Sequence, residues 1–598
     1  MAYSSSREGS VSSAIKRIHT WYALLILVVG LFGVRLFYLQ IIRYDHYKQA
    51  ALSDQLHQKE IPATRGTIEV HDGEDTVPIV LNQKLYTIFA DPVDIQTYKT
   101  DVDKASVRLA SVLGGNVDDY SKGLKTKDTR YVVLAKKVTP QQRDKLMGYK
   151  LAGLYSEEQD YRAYPQGALA SQLLGFVNDQ GVGDYGLEQA LNKQLSGTPG
   201  ELKAITDLNG VPLAASKGNV QHAPKNGDKV LLTVNLGMQA QLENILASEY
   251  QKTKSKGLSA VVMDPATGKI KAMANYPTYD PAKYSQVSDP KLFENASVSE
   301  AIEPGSSMKV LTTAAALDMG VIKPDTTFYD PAQWTVDGFK ITDIEEDGGA
   351  RNQTIASLLN LSLNTGATWE LMQMGGGQIN PKARNAWYDY LTNRFMFGKD
   401  TNIEQGYESA GLVTGPQNNG AGIDLTYANM SFGQGILVTP LQMAAAYSSV
   451  LNGGTYYQPY LVDRTTNSAG ATTTTKPKAL KTGVVSPQVS QDLVPLMEYV
   501  VDQHHQDGFG YLDFPSQYAV GGKTGTAQIA NPAGGYYADK YNGTYAGFVG
   551  GDQAQYIIVV FNTQPGVAGY AGTYGGQPVF ADIAHMLIDN GYVTPKSH

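Results

Sequence analysis

The chain has 598 residues, 42% hydrophobic and 18% charged, with 61 Gly, no Cys and a formal net charge of −8. The mild acidity excludes the basic footprint of a nucleic-acid binder, and the missing Cys excludes disulfides, thiolate catalysis, Cys-ligated zinc and iron–sulfur clusters. A mean hydropathy of −0.26 excludes a multi-span membrane protein, and the apolar content excludes a disordered chain.

The first predicted element is a membrane span. Trp21 to Val34 (WYALLILVVGLFGV) carry no charge, and after Arg35 the apolar run resumes as far as Ile42. About 22 residues at ~1.5 Å each cross a hydrocarbon core of roughly 30 Å. Trp21, Tyr22 and Tyr38 suit the two interfaces, and Arg35 can snorkel along its aliphatic stem. Arg7, Lys16 and Arg17 precede the span, so the positive-inside rule gives a cytoplasmic tail over 1–19, a signal anchor over 20–42 and an extracytoplasmic bulk in the plasma membrane. No small-residue cleavage site follows, which favours an uncleaved anchor over a removed signal peptide.

Residues 43–226 read as a mixed α/β segment. IPATRGTIEV and VPIVLNQKLYTIFADP have strand patterns; TDVDKASVRLASVLGG, TPQQRDKLMGYKL and YGLEQALNKQLSG read as helices that open on a capping residue or close near Gly. This part concentrates no chemistry and reads as a pedestal. From 227 to 598 the organisation changes. KVLLTV leads into a helix, LGMQAQLENILASEYQKTK, and LSAVVMDPATGKIKAMANYP predicts a hairpin turning at Pro265 to Gly268. A helical block follows from Pro304 to Leu451, then an exposed Thr- and Lys-rich loop from Arg464 to Lys481. Strands TYAGFVGGD and QYIIVVFNT and the helix PVFADIAHMLIDN close the chain. Strands at both ends with helices between predict an α/β (α+β) domain, one antiparallel sheet flanked by helices.

Three short segments carry chemistry. In EPGSSMKVLTTAAALDMG, Ser306 and Lys309 lie three residues apart at the start of an apolar helix, so the amine can reach the hydroxyl and take its proton. In LLNLSLNTGATWELM, Ser362 and Asn364 flank one residue of a turn and can point a hydroxyl and an amide into a cleft. In YAVGGKTGTAQ, Lys523, Thr524, Gly525 and Thr526 combine a cation, two hydroxyls and room for close backbone approach, a set suited to a carboxylate. Each pattern alone is weak. S-x-x-K recurs at Ser13–Lys16 and Ser288–Lys291, and K-T-G at Lys481–Gly483, all three read as chance. No His cluster has metal-ligand spacing, and MGGGQ near Gly375 lacks the Lys-Ser/Thr pair of a phosphate cradle, so neither metal nor cofactor is implied.

The order S-x-x-K, S-x-N, K-T-G-T is the set known from penicillin-binding proteins and serine β-lactamases. With it, Ala428 to Gly454, RGTI at Arg65 to Ile68 and DYRAYPQGALASQLLGFV make the chain resemble the class B penicillin-binding proteins, monofunctional D,D-transpeptidases that crosslink peptidoglycan. EPGS and YGGQPVFADI are more like the division (septal) branch than the elongation branch. Two positions depart from the pattern: VHDG stands at Val70 to Gly73 where D-R-N-G is usual, and Leu363 occupies the middle of S-x-N.

The resemblance implies a transpeptidase domain of the penicillin-binding and serine β-lactamase type at 227–598 on a pedestal at 43–226. It implies Ser306 as nucleophile toward a D-Ala-D-Ala stem peptide, Lys309 as base, Ser362 as proton relay and Asn364 as a clamp on Lys309 and substrate. Lys523, Thr524 and Thr526 would bind the terminal carboxylate, with Gly525 between them. β-Lactams would acylate Ser306, an amine of a second stem peptide would be the acceptor, and a SEDS-type, FtsW-like lipid II polymerase with other divisome membrane proteins would be partners. A D,D-carboxypeptidase, a β-lactamase and a non-enzymatic anchored β-lactam sensor or divisome scaffold are the rival readings. Chain length and the pedestal disfavour the lactamase, and the complete motif set disfavours the sensor and scaffold.

Overall fold

A computed structural model describes all residues except 1–7, 48–55, 206–219, 344–348, 418–421 and 598. The chain folds as two units, one of 1–63 with 198–225 and the other of 64–197 with 226–598.

The first unit holds the helix Glu8–Phe37, which continues as one wide turn over Tyr38–Ile42, and an antiparallel sheet of Leu56–Ile61, Gly200–Ile205 and Val220–His222. Lys16–Ile42 is long and apolar enough to cross a membrane, and its side chains are almost all exposed, as a lipid-facing surface requires.

In the second unit a twisted sheet runs in the order Thr472–Thr474, Val462–Thr466, Lys229–Asn235, Ile68–Asp72, Asp75–Ala90, with Val132–Val138 and Leu154–Ala163 both pairing the far half of Asp75–Ala90. Ile68–Asp72 lies parallel to Lys229–Asn235 and antiparallel to Asp75–Ala90. The Thr-rich stretch expected as a loop is exposed but is strand in part: its β-branched threonines pair across Thr466↔Thr472 and Arg464↔Thr474, and Ala479–Thr482 pairs Thr455–Tyr457, with turns between. In IPATRGTIEV only Ile61, the end of Leu56–Ile61, and the residues from Ile68 onward are strand. YGLEQALNKQLSG breaks into Gly186–Ala190 and Asn192–Ser196 at Leu191. The helix Val102–Leu113 is capped by the Asp101 carboxylate, and Pro140–Gly148 by a reciprocal Thr139–Gln142 capping box.

The two pedestal signatures meet on one buried carboxylate. Arg65 Nε donates to Glu188 Oε2 at 2.7 Å and Arg162 Nε to Glu188 Oε1 at 2.8 Å, while Arg65 also bonds Asn192 and Arg162 bonds Asn82. Glu188 is wholly inaccessible. Beside it Gly66 admits no side chain, since a Cβ there would lie 1.8 Å from the Asp228 carbonyl oxygen.

The five-stranded antiparallel sheet is ordered β2-β1-β5-β4-β3, where β1 is Gly257–Met263, β2 Ile270–Tyr276, β3 Ala519–Ala530, β4 Tyr536–Gly550 and β5 Ala554–Thr563. Successive side chains face opposite sides. Val261, Met263, Val559, Phe561 and Phe548 enter one core, and Ala260, Val262, Ile558, Val560 and Val549 the other. Both faces are covered, which is why QYIIVVFNT is continuously apolar rather than alternating. One face carries α1 (Leu236–Thr253) and the C-terminal helix Gln577–Asp589. The other carries α2 (Lys309–Asp318), α3 (Ile355–Asn360), α4 (Asn364–Met374), α5 (Pro440–Leu451) and α6 (Pro487–Gln506). The helical block is not continuous. Strand pairs Thr327–Asp330 with Arg351–Thr354 and Gln333–Val336 with Phe339–Thr342 are inserted between α2 and α3.

Glu188→Ala leaves two buried guanidinium groups without their carboxylate, and we expect it to lower stability by about 3–5 kcal/mol. Chemical denaturation of the detergent-solubilised full chain measures this, and a midpoint unchanged from wild type would show that Asn82 and Asn192 alone hold the two arginines.

Candidate active site

The nucleophile candidate sits in a turn made rigid by its neighbours. Gly305–Met308 forms one 3-10 turn that runs directly into α2, so Ser306 and Lys309 are eclipsed on one side of the chain. Every residue from Ser307 to Leu317 is buried, and Ser306 alone in this stretch is partly exposed. Thr544 Oγ1 and Ser307 Oγ donate to the Pro304 carbonyl at 2.6 and 2.8 Å, Tyr447 OH donates to the Ser307 carbonyl at 2.5 Å, and Gly305 N–H donates to Gly433 O at 3.0 Å. Gly305 has φ +58°, and a Cβ there would lie 2.8 Å from Thr526 O. A Cβ on Gly525 would lie 2.4 Å from Pro304 O and 3.0 Å from Ser307 N. These two glycines let the K-T-G-T strand press backbone to backbone against the serine turn.

The S-x-N segment links α3 to α4. Leu363 is buried in the main core and its N–H donates to Leu358 O at 3.0 Å, so the apolar middle residue points away from the cleft and anchors the turn. Ser362 takes a left-handed backbone, φ +59°, a strained choice for a side-chain-bearing residue that turns its polar groups outward. Lys309 Nζ donates to the Ser362 carbonyl, to Ser362 Oγ at 3.2 Å and to Asn364 Oδ1 at 2.8 Å. Asn364 Nδ2 donates to Thr342 O at 3.1 Å, which fixes the amide with its oxygen toward the lysine. Asp343 accepts from Thr365 N at 3.0 Å and from Thr365 Oγ1, supplying the first turn of α4 with the cap that Leu363 cannot give. Burial pushes the Asp343 carboxyl up, against the pull of the Thr365 bonds and the Lys309 charge.

On β3, Lys523 is wholly buried and Nζ lies 3.2 Å from both Thr524 O and Thr524 Oγ1. Thr526 Oγ1 accepts from Gly572 N at 2.9 Å, so its own O–H is left to donate toward a ligand. The structure thus joins Lys309, Ser362 and Asn364 by hydrogen bonds and sets Gly525 and Thr526 against the Ser306 turn. Ser306 Oγ makes no hydrogen bond among the described residues. The decoys fall elsewhere: Ser288, Lys291, Lys481 and Thr482 are exposed. Among the described residues no three His, Asp or Glu side chains gather as a metal site needs.

Several contributors were not visible as motifs. Thr544, Tyr447, Gly433, Thr342 and Asp343 belong to none of the three chemical motifs, and only the tertiary fold brings them to the site. His504 on α6 is another. Its Nδ1 lies 2.7 Å from Gln577 Nε2, and burial first, then the Lys523 charge, lower its pKa to about 4.

The whole chain is similar in sequence to known proteins. The family profile for the penicillin-binding protein transpeptidase domain matches residues 258–585, and that for the penicillin-binding protein dimerisation domain matches 60–232. Penicillin-binding protein PbpB of Mycolicibacterium smegmatis is 30% identical, over 96% of this chain and 90% of the relative. Peptidoglycan D,D-transpeptidase FtsI of Escherichia coli is 28% identical, over 94% and 90%. Penicillin-binding protein 3 of Mycobacterium tuberculosis, solved in complex with aztreonam, superposes with a TM-score of 0.67 at 25% identity, covering 90% of this chain and 98% of that one. Penicillin-binding protein 2X of Streptococcus thermophilus superposes at 0.71 with 24% identity, over 90% and 80%.

Because the folded His504 pKa lies below the ordinary 6.5, its neutral form contributes stability that is complete above pH 6.5 and is lost as pH falls toward 4. The difference in melting temperature between wild type and His504→Gln is expected to shrink across that window. A difference that stays constant with pH would show that His504 does not titrate there.

Proposed function

The chain belongs to the class B penicillin-binding proteins, and from that premise we propose that Ser306 is its acylated nucleophile and that Lys309, Ser362, Asn364, Lys523, Thr524, Gly525 and Thr526 form its catalytic cleft. It is a serine-type peptidoglycan D,D-transpeptidase. The observation that carries the residue assignment is the Lys309 amine, inaccessible to solvent and bonded at once to Ser362 and Asn364.

The geometry supports the following roles, which the family resemblance implies. Lys523, Thr524 and the free O–H of Thr526 receive the terminal D-Ala carboxylate, laying the penultimate carbonyl over the Ser306 turn. Ser306 Oγ attacks that carbonyl carbon and its proton passes to Lys309 in its neutral form. Backbone N–H groups at Ser306 and Thr526 face the developing oxyanion, a contribution of about 3–4 kcal/mol per donor in comparable sites. When the C–N bond breaks, the leaving amine takes the Ser362 hydroxyl proton and Lys309 replaces it. D-Ala departs and an ester remains on Ser306. The amine of a second stem peptide attacks that ester, an amide forms, and Ser306 recovers its proton through Ser362 and Lys309. β-Lactams present a comparable carbonyl and carboxylate, and acylate the same oxygen.

We place this activity at the division septum, on the EPGS and YGGQPVFADI segments and the similarity to FtsI proteins. We read 1–19 as cytoplasmic, 20–42 as the anchor, 43–226 as the pedestal and 227–598 as the catalytic part. Lys16 and Arg17 ahead of the span support that orientation. As a monofunctional transpeptidase it would take its glycan strands from a separate lipid II polymerase of the SEDS type, the partner that the family resemblance implies.

Ser306→Ala is expected to abolish covalent labelling by a fluorescent penicillin, and Lys309→Met to slow it by about 10²-fold or more, both read by gel fluorescence of the full chain. Full labelling of Ser306→Ala would overturn the nucleophile.

A further inference from the structure

Directly behind the catalytic amine the structure holds a carboxyl group that the acylation chemistry leaves unused. Glu370 lies on α4 and is completely inaccessible. Its two oxygens are 2.9 and 3.1 Å from Thr313 Oγ1, and it makes no ion pair among the described residues. Thr313 is four residues after Lys309 on α2, on the same helix face one turn deeper. The Glu370–Thr313 bond therefore ties the helix that carries Lys309 to the helix that begins with Asn364.

A buried carboxylate needs a cation or several donors, and Glu370 has a single hydroxyl. Burial pushes its pKa up to about 8, while Thr313 and the Lys309 charge pull the other way. Lys309 acts on Glu370 as a nearby charge, while its amine hydrogen-bonds Ser362 and Asn364. Among the described residues, Lys309 is the one charged group that acts on it.

We propose that Glu370 is a positioning residue for Lys309: a carboxyl group kept in its acid form, which clamps α2 to α4 through Thr313 and so fixes the reach of the amine without placing a negative charge behind it. An ionised Glu370 would favour the ammonium form of Lys309 and oppose its service as a base. The acid form provides the clamp without that cost. The inference rests on Lys309 as the base.

The test is the rate of acylation of the full chain in detergent by a fluorescent penicillin, measured from pH 6 to 9.5. Glu370→Gln keeps a neutral group of the same shape. It should stay within about threefold of wild type at pH 7, and its rate should continue to rise above pH 8, where the wild type levels off as Glu370 ionises. Glu370→Leu removes the clamp and should lose about tenfold or more. Equal loss in both variants would show that the carboxylate charge is needed and would overturn the proposal, as would a wild-type rate and profile in Glu370→Leu. Should Glu370→Leu fail to fold, the infrared difference between wild type and Glu370→Gln decides. A protonated-carboxyl band at pH 6.5 that fades by pH 9.5 supports the proposal, and a carboxylate band throughout overturns it. Wild-type acylation of Lys309→Met would instead overturn Lys309 as base, independently of the two glutamate variants.

Discussion

The buried amine of Lys309 is the constraint around which the site is arranged. A lysine nitrogen with no access to water must find acceptors inside the protein, and here they come from a turn more than fifty residues further along the chain. Supplying them shapes that turn. Ser362 adopts a left-handed backbone, Leu363 is driven into the core, and Asn364 is oriented from behind by the Thr342 carbonyl. The inserted strands between α2 and α3 thereby acquire a purpose. They deliver Thr342 and Asp343 to the start of α4, where one orients the amide and the other caps the helix.

The second constraint is the close approach of a strand edge to a helix start. Side chains would hold the two apart, and the pair Gly305 and Gly525 removes them where the backbones meet. Thr544, opposite Gly525 on β4, then uses its hydroxyl to hold the Pro304 carbonyl. The five-stranded sheet is thus more than a support. Its β3–β4 pair supplies Lys523 and Thr526 to the proposed carboxylate site and Thr544 to the turn that carries Ser306.

Much of this was legible in the sequence because it is local. The three motifs each fit within a few residues, and the central strands show themselves as apolar runs too short for helices. The hairpin at Pro265 to Gly268 and the capped helices after Asp101 and Thr139 are written in turn and cap residues. What escaped is what depends on distant partners. Asp343 and Glu370 are ordinary acids in sequence, and nothing in their neighbourhoods distinguishes them from solvated ones. The segment from Arg464 to Lys481 has no buried face, so no periodicity marked it as strand; it pairs at a sheet edge where exposed threonines suffice. Leu363, a departure from the usual small residue, became intelligible only when its side chain was found in the core.

The same logic explains the pedestal signatures. Arg65 and Arg162 lie almost a hundred residues apart, yet both pair with Glu188 as their shared counter-charge. Their convergence locks the start of Ile68–Asp72, the strand that pairs on one side with Asp75–Ala90 and on the other with Lys229–Asn235. That last strand is tied to the catalytic sheet at its far end. Thr233 Oγ1 donates to Ile270 O at 2.6 Å, and Gln239, at the start of α1, bonds both the N–H and the carbonyl of Met273. A continuous path of strand pairing and of bonds from the Thr233 and Gln239 side chains therefore runs from Arg65 to β2. Residues 64–197 are thus hydrogen-bonded into the same unit as the five-stranded sheet, and not merely attached to it.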